Sequence, residues 1–471
     1  MDWGRTGLSA LIALSLVACG GDDGPPPPAS TPTPPPVATC SLEARKDWTF
    51  AQIDDFYLFP NLIDRDAPRD GTVQDYIDRL VAPARAEGKD RGFTYITSIQ
   101  EENEFRETGS SAGFGFRLTF NGTADRLYVM EAFESGPAFQ AGFDRGDRIL
   151  AINGETIGAI LQRGGIDALI EALGPDEPGV SRVLTRTNNR GVNEDLTVTK
   201  TEFELEPLSD RYGIEILEDS FGNRVGYVML RTFSIDSARE GLRSGFDTFR
   251  REGITNVILD FRYNGGGLVS IAELLGDLLG RDYAGQVFSR TVFRDSLSSE
   301  NSTSLFQLQP EAITVEKLAV IGTDWTASAS EMVPNSFIPY LGGNIALIGS
   351  NTFGKPVGQI GLDREACDDR LRLVAFKTVN ANGQGEYYNG LAEIMPVTCR
   401  AADDIFNPLG SPYENSISTA LAFFRDGECD LSGPIYAARD GVQQPQAVEQ
   451  GRGPLEDKEP SVAQRYNPGL F

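Results

Sequence analysis

No histidine occurs anywhere in the 471 residues. That absence excludes any site in which an imidazole of this chain activates a nucleophile or ligates a metal. Basic residues are also scarce: 42 Lys and Arg against 68 Asp and Glu leave a formal charge of -26. Such a surface repels phosphate, which excludes nucleic acid as a partner and makes anionic lipid headgroups poor ones. Cysteine is limited to Cys19, Cys40, Cys367, Cys399 and Cys429. Their gaps are too wide and irregular for a zinc site built without histidine, so neither metal nor cofactor is expected. The N-terminal apolar run, Leu8 to Val17, is about half the ~20 residues needed to span a bilayer.

What is present begins with Arg5 and that run, an order that predicts an export signal. Leu16-Val17-Ala18-Cys19-Gly20 resembles the lipobox of bacterial lipoproteins. The resemblance implies cleavage after residue 18 and lipidation of Cys19. With Gly20 next to the cysteine, it also implies a place in the bacterial cell envelope, on the outer membrane facing the periplasm. Residues 19–40 are rich in Pro, Ser and Thr and predict an extended tether. In an exported chain the other four cysteines can form two disulfides in three connectivities. The pairing taken is Cys367 with Cys399 and Cys40 with Cys429.

The rest divides by pattern into a multidomain α/β chain. Residues 41–107 show helical spacing through Trp48, Ile53, Phe56, Tyr57, Tyr76, Ile77 and Leu80 and predict a small helical unit without chemistry of its own. Residues 108–205 read as a β-rich unit, with Asn153-Gly154 fitting a tight hairpin turn. Residues 206–430 alternate strands such as Val257–Arg262, Leu318–Gly322 and Ile345–Ile348 with helices, which predicts an α/β layer on a mostly parallel sheet. The stretch 431–471, rich in Gln, Pro, Glu and Gly, predicts an ill-ordered tail.

Reactive groups belong where such strands give way to loops. Three loops qualify: Asn264-Gly265-Gly266-Gly267, Thr326-Ala327-Ser328-Ala329-Ser330-Glu331, and Gly354-Lys355-Pro356-Val357-Gly358-Gln359. Ser328 or Ser330 could simply cap a helix. As a nucleophile, Ser328 would need a base other than histidine, and Lys355 is the candidate. An unperturbed lysine is neutral in only ~0.0004 of molecules at pH 7, so the pocket must lower its pKa by desolvation; Phe353, Val357 and Ile345–Ile348 are the expected apolar walls.

Together these three motifs resemble the carboxyl-terminal processing, or tail-specific, serine peptidases, over about residues 45–430. The resemblance implies a crotonase- and ClpP-like peptidase core. It makes Ser328 the nucleophile, Lys355 the base, Gln359 the residue that orients it, and the N–H groups of Ala329 and Gly266 the oxyanion hole. The preceding Gly113-Phe114-Gly115-Phe116 and Gly146-Asp147-Arg148-Ile149 motifs resemble a PDZ domain of the circularly permuted bacterial type. There, Gly113 to Phe116 would hold a peptide's terminal carboxylate while the peptide adds as a strand. Implied partners are protein or peptide substrates with accessible C-termini and the membrane, through a lipid anchor; an adaptor protein or further copies of the chain are candidates too. Two competing readings are an inactive PDZ scaffold of the envelope and an acyl-CoA enzyme, the latter disfavoured by export away from that cofactor.

Overall fold

The computed structural model describes residues 40–120, 126–219, 221–427, 435, 453–455 and 460–471. Cys19, the lipobox and nearly all of the tether lie outside them. Among the described residues no helix is long and apolar enough to cross a membrane.

A six-stranded sheet forms the centre, in the order Ile214–Glu218, Arg224–Met229, Asn256–Asp260, Lys317–Gly322, Ile345–Gly349, Val397–Arg400. The first pair is antiparallel and the other four pairings are parallel. Parallel strands need crossovers, and the helices Ala238–Arg251, Val269–Leu279 and Ala329–Leu341 lie in them. Side chains alternate across the sheet. Val228, Leu259, Val320 and Leu347 pack with Phe246, Leu275 and Phe337 of these helices. Tyr227, Ile258, Ile321 and Ile348 face the other way, in a cluster with Ile417 and Phe423 of the helix Asn415–Asp426.

The unit predicted over 41–107 is helical, with Leu42–Phe56, Val73–Leu80 and Ile99–Thr108, but it does not stand apart. Its strand Tyr95–Ser98 pairs with Asp369–Val379 in a second, five-stranded sheet, which also holds the hairpin Val357–Arg364/Asp369–Val379. Ile53, Tyr57, Ile77 and Leu80 share one core with Val357, Leu371 and Leu373.

A disulfide closes this junction between Cys40 and Cys367, with the Cα atoms 5.4 Å apart. The expected pairing is therefore corrected: Cys40 meets the tip of the hairpin. Cys399, buried in the edge strand Val397–Arg400 of the central sheet, is disulfide-bonded to a cysteine outside the described residues. Cys367→Ser is expected to lower stability by about 2–4 kcal/mol, read as the loss of denaturation midpoint in non-reducing buffer.

The β-rich unit enters and leaves through one two-stranded ribbon, Ser110–Gly113 paired with Thr201–Glu204. Its sheet contains Phe116–Phe120, Leu127–Ala132, Arg148–Ile152, Ser181–Thr187 and Asn193–Thr199. Asn153 and Gly154 both have positive φ, 51° and 82°, as a two-residue turn between paired strands requires. Buried ion pairs join the unit to the centre: Glu131 accepts from Arg117 and Arg231, and Arg145 bonds Asp403.

Of the tail expected over 431–471, residues 431–434, 436–452 and 456–459 lie outside the described residues, and the described part departs from expectation. Val462–Tyr466 is a helical turn capped by Ser461, and Leu455, Val462, Ala463, Leu470 and Phe471 are buried. A few apolar anchors in a polar stretch suffice to dock it, and composition averages them away.

Candidate active site

Asp260 pairs with Ile321, and Gly322 with Gly349, so three successive loops leave the central sheet at one edge. The glycine loop is fixed first. Asn264 donates to Leu230 O at 2.8 Å, while its own carbonyl accepts the Ala327 N–H and the Ser330 hydroxyl. Ser330 is thereby buried and structural. Gly266 has φ 105°, and a Cβ there would come within 2.7 Å of Ser328 Cβ, so no larger residue fits beside this turn.

Ser328 itself has φ 58° and ψ -116°, a conformation that costs a non-glycine residue about 1–3 kcal/mol. It occupies the N-cap position of Ala329–Leu341 in a capping box with Glu331, but that does not enclose its side chain. Instead it opens on a cavity of about 1220 Å³ that Lys355, Gln359, Phe93, Phe353, Gly265 and Gly267 also line. The helix behind it continues through Pro334 and Pro339. The Asn335 carbonyl, which Pro339 cannot bond, accepts from Asn380 Nδ2 at 3.1 Å.

One buried carboxylate joins the serine turn to the lysine turn. Glu331 accepts from the backbone N–H of Ser328, Gly354 and Lys355 at 3.0, 2.7 and 2.7 Å, and from Thr352 Oγ1 at 2.6 Å. Burial pushes its pKa up, against the pull of those donors. Gly354 is held tightly too: at φ 87°, a Cβ would lie 2.4 Å from Tyr388 O. Arg91 secures the same turn, donating to Gly354 O at 2.8 Å and stacking on the Phe353 ring at 4.1 Å.

Lys355 Nζ donates to Gln359 Oε1 at 2.7 Å. Gln359 Nε2 in turn donates to Phe93 O at 2.5 Å, which fixes the amide so that its oxygen faces the lysine. The Phe93 ring lies 4.7 Å from Nζ. Desolvation lowers the lysine pKa to about 8, against the upward pull of the Asp90 and Glu331 charges. The ammonium thus meets a neutral amide and an aromatic face, and among the described residues it forms no ion pair. The apolar walls are Phe93 and Phe353; Ile345–Ile348 belong to the core of the central sheet.

Phe93, Asp90 and Arg91 come from the unit read as free of chemistry. Nothing local marks them, because the contacts span more than 260 positions of sequence. Of the two expected oxyanion donors, the Ala329 N–H has no acceptor among the described residues. The Gly266 N–H donates to Asn264 Oδ1 at 2.9 Å, so the expectation that it is available is corrected: in this arrangement it is engaged. Gly113 ends the ribbon strand, Phe114 is buried, and the N–H groups of Gly115 and Phe116 both bond the Phe471 oxygen.

Residues 224–392 match the model of peptidase family S41. The chain is 27% identical over 249 residues to a carboxyl-terminal-processing protease of Synechocystis, covering 53% of this chain and 54% of that protein. It is 24% identical over 330 residues to the carboxy-terminal processing protease CtpA of Bacillus subtilis, covering 70% and 63%. It thus spans about half to two thirds of the length of these relatives. Among solved structures, a candidate S41 protease from Bacteroides fragilis superposes with a TM-score of 0.62 at 24% identity, over 80% of this chain and 97% of that one. That likeness establishes a mixed α/β fold of the S41 protease type.

Proposed function

We propose, from the S41 match over 224–392 and the site geometry, that the chain is a serine endopeptidase cutting proteins or peptides at or near their C-terminal tails. In this reading it is held in the cell envelope through lipid on Cys19, and the β-rich unit is a PDZ domain. Neutral Lys355 takes the Ser328 Oγ proton as that oxygen attacks a peptide carbonyl, and the Ala329 N–H stabilises the resulting oxyanion. Lys355 returns the proton to the departing amine. It then deprotonates a water whose oxygen adds to the acyl carbonyl, and returns that proton to Ser328 Oγ as the ester C–O bond breaks.

The observation that carries the reading is the setting of Lys355. A lysine kept for charge would be paired with a carboxylate, whereas this one faces a neutral amide whose orientation is locked by Phe93 O. Mass spectrometry of protein C-termini from cells carrying the native chain or Ser328→Ala tests it. Shortened ends are expected with the native chain alone, and indistinguishable sets of ends would favour an inactive peptide-binding scaffold.

The base acts only when neutral. With its pKa at about 8, kcat/KM is expected to rise as pH increases through that value. A flat profile between pH 6.5 and 9 in steady-state cleavage of a peptide would contradict the role given to Lys355.

A further inference from the structure

After a turn at 467–469, Leu470 and Phe471 lie antiparallel to the Phe116–Leu118 part of the strand Phe116–Phe120, beside Gly453–Pro454, which pairs with Thr119 and Phe120. Phe471 N–H donates to Phe116 O at 2.9 Å, Leu118 N–H donates to Gly469 O at 3.1 Å, and Arg117 bridges Leu470. The Gly115 and Phe116 N–H groups converge on one oxygen of Phe471, at 2.9 and 3.2 Å. The fully buried Arg117 adds bonds to Pro468 O at 2.6 Å and Asn467 Oδ1 at 3.3 Å.

The side chains of Leu470 and Phe471 go to different places, as neighbours in extended backbone do. Phe471 is 3% exposed and joins the cluster of Phe114, Phe116 and Ile160. Leu470 joins Phe105, Phe133 and Phe203. Just upstream, the backbone passes the glycine loop: a Cβ on Gly265 would sit 3.4 Å from Tyr466 O and 3.5 Å from Arg465 O. Arg465, Tyr466, Pro468 and Gly469 line the same cavity as Ser328 and Lys355.

Antiparallel pairing on a strand edge, with two N–H groups on one backbone oxygen and one side chain in an apolar pocket, is how such sheets read a peptide. We propose that residues 467–471 are the resident ligand of this groove. The chain occupies its own peptide site and crosses the catalytic cavity, and an incoming peptide must displace it. The occupant also points to the side chains the groove accepts: an apolar residue followed by an aromatic one, as in Leu470-Phe471. This rests on the peptide-groove reading of the β-rich unit, but it does not require that the enzyme be active.

The test uses the full chain carrying Ser328→Ala, so that cleavage cannot consume the probe. A fluorescent heptapeptide, Arg-Tyr-Asn-Pro-Gly-Leu-Phe with a free carboxylate, is titrated against that protein and against one also carrying Phe471→Asp. A tethered segment acts at an effective concentration of about 1 mM; for an intrinsic Kd of about 10 µM it would weaken an external peptide roughly a hundredfold. At least a tenfold tighter binding to the Phe471→Asp chain is therefore expected, and a probe ending in Leu-Asp should bind at least tenfold more weakly than Leu-Phe. Equal affinity of the two chains for the Leu-Phe probe would overturn the resident-ligand proposal while leaving the groove in place. Binding to neither would remove the groove reading itself. Should Phe471→Asp fail to fold, hydrogen exchange in the Ser328→Ala chain decides: protected Gly115 and Phe116 amides support the proposal, and amides exchanging as if exposed defeat it.

Discussion

Ser328→Ala is expected to lower cleavage of an unfolded protein by a factor of at least ~10⁴, because its hydroxyl is the group proposed to form the acyl-enzyme. Ser330 cannot substitute, since its hydroxyl is buried on Asn264 O. Lys355→Arg should fall nearly as far. A guanidinium keeps the positive charge and can donate to Gln359 Oε1, but it cannot lose a proton at working pH. The pair of variants therefore separates charge from basicity. If Lys355→Arg retained more than about a tenth of the native kcat in single-turnover measurements, the general-base role would be wrong. Gln359→Ala should lose less and should move the pH midpoint, since it removes the partner that holds Nζ in place.

The second large effect is expected at Glu331. Its carboxylate is fully buried and accepts four hydrogen bonds, from the serine turn on one side and the lysine turn on the other. Glu331→Ala leaves buried donors without acceptors, and a loss of about 3–5 kcal/mol is expected. At roughly 2–4 °C per kcal/mol for a domain of this size, the thermal midpoint should fall by about 10 °C or more. Glu331→Gln is the sharper probe. Its NH₂ group must face either Ser328 and Lys355 or Thr352 and Gly354, and in both orientations donor meets donor. It should fold, keep KM within about twofold, and lose kcat, because the two turns are no longer held in register. A Glu331→Ala protein within ~1 kcal/mol of the native stability would show that these bonds are not what joins the turns.

Much of this site could be read from the chain, for a physical reason. Short apolar runs ending in small residues mark buried parallel strands, and three of them end at Asp260, Gly322 and Gly349, where the loops carrying Gly265–Gly267, Ser328 and Lys355 begin. The parts that stayed hidden depend on distant partners. Phe93 looks like any core aromatic until the hairpin Val357–Val379 folds onto it. Glu331 reads as a capping residue, and only the packed structure brings Thr352 and Gly354 to its far oxygen. Cys40 and Cys367 are 327 positions apart, so spacing could not choose their pairing. In the tail, six buried apolar residues among those described are diluted by Gln, Pro and Glu, and what docks them is the shape of a surface made elsewhere.

The two-stranded ribbon Ser110–Gly113/Thr201–Glu204 has a consequence for how such a chain can change over time. Its ends are directly paired, with Ser110 opposite Glu204, so the host fold sees the whole intervening unit as one long hairpin loop. Loop-closure entropy grows only logarithmically with length, and the host is nearly indifferent to what that loop contains. The β-rich unit can therefore be lengthened, exchanged or lost as a cassette. The ties that oppose exchange are the ion pairs around Glu131 and Arg145 and the backbone bonds made by residues 467–471, and these would have to change with it.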